Sequence, residues 1–374
     1  MPAPSPQPLD GLFVVSIEQA VAAPTCTLRL ADAGARVIKI ERKSGETARH
    51  YDRAVHGTSA YFAWLNRGKE SCCLDLKNAD DRALVRRMLD KADVFVQNFA
   101  PGAMARLGLD FETLSRTNPG LVMVSIVGYG QDTDYAGMRA YDLLVQAESG
   151  LCAVNGTPET ACRVGVSVAD IATGMNAHAA ILQALFARTK TGKGAAIEMA
   201  LFDCLADWMN VPLLHLEYLG RETPRIGLAH AGIHPYGAYH CRDGEVVIVV
   251  QNPSEWIRLC EKVLNRPDLV NDPRFHDNPA RLEHRDALFT IIADIFATLT
   301  RREAIALLNA ADLGSGTVSS VADLARHPAL RRVSCTTNGE TFSLAASPLA
   351  PGIGVRAVPA LGEHTEAIRR EFAT

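Results

Sequence analysis

The N-terminal half of the chain alternates short apolar runs with stretches in which apolar residues recur every three or four positions. Leu12–Ile17 reads as a strand, and Pro24–Ala33 carries helical spacing closed by Gly34. Arg36–Ile40 is a second strand running into the charged loop Glu41–Gly45. Strand, helix and strand in that order predict a parallel unit with a right-handed crossover. The rhythm continues with a helix over Asp80–Lys91, a strand over Val94–Gln97 and a helix over Phe111–Thr117. Leu121–Val127 is almost wholly apolar, the mark of a strand covered on both faces. Met175–Arg188 predicts a long Ala-rich helix ended by Lys190–Gly194, followed by a strand over Ala196–Met199 and helix from Leu201.

The pattern breaks across Gly220–Gly232, where Gly, Pro and polar residues take over. Beyond it, Tyr236–His240 and Glu245–Val250 predict a hairpin turning at Arg242-Asp243-Gly244. Helical spacing follows at Glu255–Val263, Arg285–Thr298 and Arg302–Ala311, before the chain resumes with Val321–Arg326 and a late strand at Thr341–Leu344. The expected organisation is a large α/β domain over 1–220, an inserted α+β domain over 221–320, and a return to the large domain over 321–374. Ligands of a parallel sheet gather beyond the carboxyl ends of its strands. That singles out the loops Glu18–Ala23, Glu41–Glu46, Asn98–Gly102 and Gly128–Asp134.

Composition narrows the function classes. With 374 residues, 48% of them hydrophobic, the chain can bury a substantial core, and a net charge of −4 gives no electrostatic case for nucleic acid or an anionic membrane. Met1–Leu9 has neither the basic nor the apolar region of an export signal, and no apolar run reaches membrane-spanning length, so a soluble cytoplasmic protein is expected. The 9 cysteines show no CxxC spacing, which argues against a disulfide framework or a thiolate zinc site.

The turn Glu18–Pro24 carries no GxGxxG, which sets aside a nicotinamide cofactor. Thr191-Gly192-Lys193-Gly194 resembles the end of a phosphate-binding loop, but Ala187 stands where the first glycine belongs. His230, His234 and His240 crowd the Gly-rich break, yet no Cys, Asp or Glu completes a set, and no metal is expected. No Gly-x-Ser-x-Gly supplies a serine nucleophile. Lys39, Arg42, Lys43, Arg67, Lys69, Arg106 and Arg139 fall near strand ends, where they fit either a polyphosphate ligand or solvated surface. Asp170 sits one step ahead of the long helical run, where the helix dipole and free N–H groups favour its ionised form. A ready anionic nucleophile and a plain N-cap both fit that placement.

Six segments form an ordered set: Pro8-Leu9-Asp10-Gly11, Gly34-Ala35-Arg36-Val37-Ile38-Lys39-Ile40-Glu41, Val96-Gln97-Asn98-Phe99-Ala100-Pro101-Gly102, Ala105-Arg106-Leu107-Gly108, Thr191-Gly192-Lys193-Gly194 and Leu361-Gly362-Glu363-His364-Thr365. On them the chain resembles the class III CoA-transferases nearly end to end. The resemblance implies a Rossmann-like large domain with an inserted small domain, in an interlocked homodimer whose active site lies at the subunit junction. It places Asp170 on the family's nucleophilic aspartate and Tyr141 beside it, with acyl-CoA and a small carboxylic acid as substrates and a covalent aspartyl intermediate. It implies CoA contacts from Gln19, Ala20 and Ala22, from Arg42 to the adenosine phosphates, and from Leu74 and Lys77 at the adenine end. Asn98, Phe99, Arg106 and Leu107 follow the second cofactor-binding loop, and Arg139 is its basic partner.

Gly227–Gly237 is the nearest match to the family's glycine-rich flap, without a tetraglycine run. Ser16–Thr27 and Tyr51–Arg67 most resemble members acting on short dicarboxylates, with Arg53, Arg67 and Arg139 to hold a distal carboxylate. Two other readings stand beside this one. An α-methylacyl-CoA racemase sets a His where Tyr141 stands, and a phenol with pKa near 10 is a poor base for an α-proton. A CoA-binding protein without turnover is the non-enzymatic alternative.

Overall fold

A computed structural model describes residues 7–350 and 352–373, so most of Met1–Leu9 lies outside the described residues. Six strands form one wholly parallel sheet: β1 (Phe13–Ile17), β2 (Arg36–Glu41), β3 (Glu70–Cys73), β4 (Val94–Gln97), β5 (Val122–Val127) and β6 (Ala195–Ala200), in the order β3-β2-β1-β4-β5-β6. The apolar runs explain it. Alternate residues face opposite sides, so Val14, Val37, Val94 and Val124 enter one buried cluster while Val15, Ile38, Phe95 and Met123 enter another. Helices α1 (Ala22–Asp32) and α4 (Val168–Thr191) cover the first face, and α2 (Ala79–Leu89) covers the second. A further helix, α3 (Asp142–Glu148), lies between them in sequence.

The chain divides into two compact units, Met1–Leu151 with Arg163–Val211 and Arg331–Thr374, and Cys152–Cys162 with Pro212–Leu330. The larger unit adds a second sheet in its C-terminal part. The smaller one is built on an antiparallel sheet of β7 (Tyr236–Cys241), β8 (Gly244–Val249) and β9 (Gly314–Thr317), with α5 (Arg285–Phe296) among its helices. Tyr239, Trp256, Phe275, Ile292 and Phe296 fill its core. Among the described residues, no helix is long and apolar enough to cross a membrane.

Helix α4 begins at Val168, well before the Ala-rich run that announces it in sequence. It crosses α1 at Gly174, where a Cβ would come within 2.5 Å of the Ala22 carbonyl oxygen and 2.6 Å of Thr25 Cβ. Only glycine allows that approach.

The strand order reverses between β1 and β4, and beneath this switch point lies a buried ion network. Glu18 accepts from Lys69 Nζ at 2.8 Å and from Thr27 Oγ1 at 2.7 Å, with Lys39 Nζ at 3.5 Å. Lys39 also donates to Glu46 at 2.9 Å. Burial opposes the charge on Glu18, but Lys69 and Lys39 outweigh it and hold the carboxyl below its usual range. Arg67 is likewise buried, donating to Asp32 at 2.6 Å. Lys39, Arg67 and Lys69 are therefore internal partners and neither phosphate ligands nor solvated surface, because a buried charge must be matched within the protein.

Removing one member strands the others. Lys69→Met is expected to destabilise the protein by about 3–5 kcal/mol in chemical denaturation, because Glu18 loses its shortest ion pair.

Candidate active site

Where β1 and β4 end, their loops are tied together. The Asn98 side chain accepts from the Gln19 N–H at 3.0 Å and donates to the Gln19 carbonyl at 2.9 Å. Ala20 follows in the left-handed region, with φ 61°, and donates its N–H to Glu46 at 2.8 Å. The turn is held from both sides.

Above it opens a cavity of about 910 Å³ at the carboxyl end of the sheet. Its lining brings together Gln19, Ala20, Ala22, Asn98, Phe99, Arg139, Tyr141 and Asp170. A second cavity, about 260 Å³, gathers Arg42, Leu74 and Lys77. Gln19 and Phe99 line both, so the two adjoin along the sheet edge. Arg106 and Leu107 line neither: Arg106 closes the single turn Ala103–Arg106, and Leu107 packs against the buried cluster under α2. Arg53 is exposed and also lies outside both linings. The flap match Gly227–Gly237 belongs to the smaller unit.

Asp170 is the third residue of α4, and Ser167 occupies the cap position without a side-chain cap bond. The cap is supplied from α3. Asp142 Oδ1 accepts from the Ala169 N–H at 2.8 Å, while Oδ2 accepts from Gln146 at 2.8 Å and from Arg163 at 3.3 Å. Gln146 in turn accepts from the Val164 N–H at 2.8 Å, pinning the segment that leads into α4. No donor among the described residues reaches the Asp170 carboxyl, which is left facing the cavity.

That isolation corrects the sequence expectation of a readily ionised carboxylate. Burial first, and the Asp142 charge second, push Asp170 up to about 7. The helix dipole acts the other way but is the weaker influence, since its effect is modest within a first turn.

The family model for CoA-transferase family III matches residues 9–365. The chain belongs to that family. The acetyl-CoA:oxalate CoA-transferase of Acetobacter aceti is 34% identical over 385 positions, covering 100% of this chain and 97% of that protein. The succinyl-CoA:glutarate CoA-transferase of Mus musculus is 30% identical, covering 98% and 87%. A crystal structure of a CaiB/BaiF family protein from Brucella suis superposes with a TM-score of 0.83 at 34% identity, covering 98% of this chain and 100% of that one.

A family III CoA-transferase acts on CoA thioesters. Of the further cavity residues, Tyr51, Asp52 and Tyr61 lie within the Tyr51–Arg67 stretch, while Arg163 comes from an irregular segment that carried no sequence signal. Asp142 was visible only as the neighbour of Tyr141. Among the described residues, no group of three or more His, Cys, Asp or Glu is placed to hold a metal.

An Asp whose folded pKa is raised binds its proton more tightly folded than unfolded, so its contribution to stability is lost as pH rises from about 4 through 7. Asp170→Asn is therefore expected to melt higher than the parent at pH 8, with the difference shrinking by pH 4. Asp142→Asn, which removes the repelling charge, is expected to lower the Asp170 titration midpoint followed by carboxyl 13C NMR.

Proposed function

We propose that this enzyme moves CoA from a short acyl-CoA donor, succinyl-CoA foremost, to a dicarboxylic acid, with Asp170 as covalent carrier. A carboxylate that forms no hydrogen bond among the described residues and faces a cavity at the switch point of the sheet carries this reading. An Asp170 oxygen attacks the thioester carbonyl, the C–S bond breaks, and CoA thiolate leaves with the electron pair. The thiolate then attacks the Asp170 carbonyl of the mixed anhydride, releasing the donor acid and leaving an aspartyl-CoA thioester. The acceptor carboxylate attacks that thioester, and the returning thiolate takes the acceptor acyl group and frees Asp170. Splitting one acyl transfer into these steps lowers each barrier.

CoA is a long ligand, and the adjoining cavities offer it an extended path. Its adenosine end would lie by Arg42, Leu74 and Lys77, and its thiol end by Asp170. Arg139 is an exposed cation of the larger cavity with no ion pair among the described residues and suits a distal carboxylate, whereas Arg163 is paired with Asp142 and Arg67 with Asp32. Relatives named for glutarate, mesaconate and oxalate support a dicarboxylate acceptor. Tyr141 in place of a histidine argues against racemisation.

The working form is a homodimer. The helix Asn210–Leu219 is apolar along most of its length yet buries none of its residues within the chain, leaving Val211, Leu213, Leu216, Tyr218 and Leu219 exposed. A patch of that kind marks an interface.

Incubation with succinyl-CoA and glutarate, mesaconate or oxalate is expected to yield the new thioester by mass spectrometry, and hydroxylamine to trap a hydroxamate at position 170. Asp170→Ala should lose activity by roughly a thousand-fold or more. Turnover without any modification of Asp170 would remove the covalent mechanism, and epimerisation of a 2-methylacyl-CoA without exchange would replace it with racemisation.

Light scattering is expected to give about twice the 40.3 kDa chain mass. Leu213→Asp combined with Leu216→Asp should shift the protein toward monomer.

A further inference from the structure

The cavity that holds Asp170 is lined by two guanidinium groups, Arg139 and Arg163, and by three carboxylates, Asp52, Asp142 and Asp170. Asp52 is satisfied locally, accepting from the Ala54 and Ala60 N–H groups and from the Ser59 hydroxyl. The acids that enter and leave during CoA transfer are anions too, and they come into a space where carboxylates already outnumber cations. One that approaches Asp170 meets the Asp142 charge, which acts on Asp170 itself. It needs a cation at that end of the cavity.

Arg163 stands there. Its Nη2 donates to Asp142 Oδ2 at 3.3 Å and to the Val166 carbonyl at 3.4 Å, and its Nε donates to the Val164 carbonyl at 2.9 Å. Nη1 has no partner among the described residues. The guanidinium is thus anchored on the backbone that leads into α4, and Gln146 pins the same segment through the Val164 N–H. Cation and nucleophile ride on one anchored stretch of chain. The ion pair, by contrast, is exchangeable. It is long for an Arg–carboxylate contact, uses one nitrogen, and belongs to a side chain 42% exposed. Asp142 keeps its bonds from the Ala169 N–H and Gln146, both 2.8 Å, when Arg163 turns to another anion.

Resting on the transfer reaction set out above, we propose that Arg163 receives the reacting carboxylate of the acceptor acid, leaving the distal one to Arg139. One carboxylate oxygen sits on the Arg163 guanidinium while the other attacks the carbonyl carbon of the aspartyl-CoA thioester. The C–O bond forms, the C–S bond breaks, and CoA thiolate leaves with the electron pair, so no proton is moved. The donor acid departs from the same position, since its release is this step run backwards. The two cations therefore divide the work. Arg163 serves every acid that reacts, and Arg139 serves only a dicarboxylic one.

The test uses the full-length enzyme with succinyl-CoA and whichever of glutarate, mesaconate and oxalate it exchanges fastest. Arg163→Gln is expected to raise the KM for that acid more than about tenfold, as loss of a charge-assisted bond would, and to leave the succinyl-CoA KM within about twofold. Arg163→Lys should recover part of the loss, and added methylguanidinium should restore Arg163→Ala saturably. The monomethyl ester of the acid, followed as acceptor or as competitive inhibitor, should weaken in Arg163→Gln by the same factor as the parent acid. Arg139→Gln should weaken the diacid alone. An acid KM unchanged in Arg163→Gln, or raised no more than the succinyl-CoA KM, would overturn the proposal. A loss confined to the diacid, with its monoester untouched, would put Arg163 at the distal end and overturn it as well. No exchange by the parent enzyme with any acid would instead remove the transfer reaction, and this assignment with it.

Discussion

The ion network of Glu18, Lys39, Lys69 and Glu46 is the constraint on which the ligand-facing edge depends. All four residues are almost completely buried, and their ion pairs among the described residues are with one another. Glu46 spends its second oxygen on the backbone, accepting from the Ala20 and Ala48 N–H groups. One carboxylate thereby joins the charge balance of the interior to the left-handed turn after β1. The bond to Glu46 helps hold Ala20 in a left-handed conformation that a residue with a Cβ adopts at a steric cost, and the small side chains of the turn leave the backbone open to the cavity. Such networks are poor sources of net stability but strong determinants of a unique arrangement, since any alternative exposes an unmatched charge to a low-dielectric interior.

This has a consequence for how basic residues are read. Lys39, Arg67 and Lys69 cluster near strand ends, the position at which cations commonly meet phosphate. Their depth in the sheet decides otherwise. Lys39 lies in the middle of β2, with both neighbouring strands in register beside it, and its ammonium ends among carboxylates. Arg42, Lys43, Arg106 and Arg139, beyond the strand ends, stay exposed, and of these Arg42 and Arg139 line the cavities.

The parts of the fold legible in the sequence were those governed by periodicity. The strand at Val94–Gln97 matches residue for residue, and the parallel sheet followed from strand–helix–strand order. Capping was harder to read. The sequence places Asp170 before its helix, but the helix starts earlier and takes its capping carboxylate from Asp142, 27 residues away. Local pattern cannot see a cap contributed by another helix. The same holds for Arg163, whose segment has no periodicity and is ordered by Asp142 and by its Val164 neighbour's bond to Gln146. The helical run from Leu201 divides into Leu201–Trp208 and Asn210–Leu219, and the second piece is apolar over most of its surface and shows no amphipathic stripe.

The carboxylates of Asp142 and Asp170, set close enough for one to raise the pKa of the other, look at first like a defect. Asp142 is needed where it is, because without it the first turn of α4 would leave the Ala169 N–H unpaired. Its charge and the surrounding burial make Asp170 more basic than an exposed aspartate. For the nucleophilic role proposed for Asp170 near neutral pH, that is a favourable compromise. Carboxylates that hold a proton more tightly are also stronger donors of an electron pair, while a midpoint near 7 still leaves a large ionised fraction. A solvated aspartate would be fully ionised but weaker and shielded by bound water. The capping bond that orders the helix thus also sets the basicity of the residue it presents.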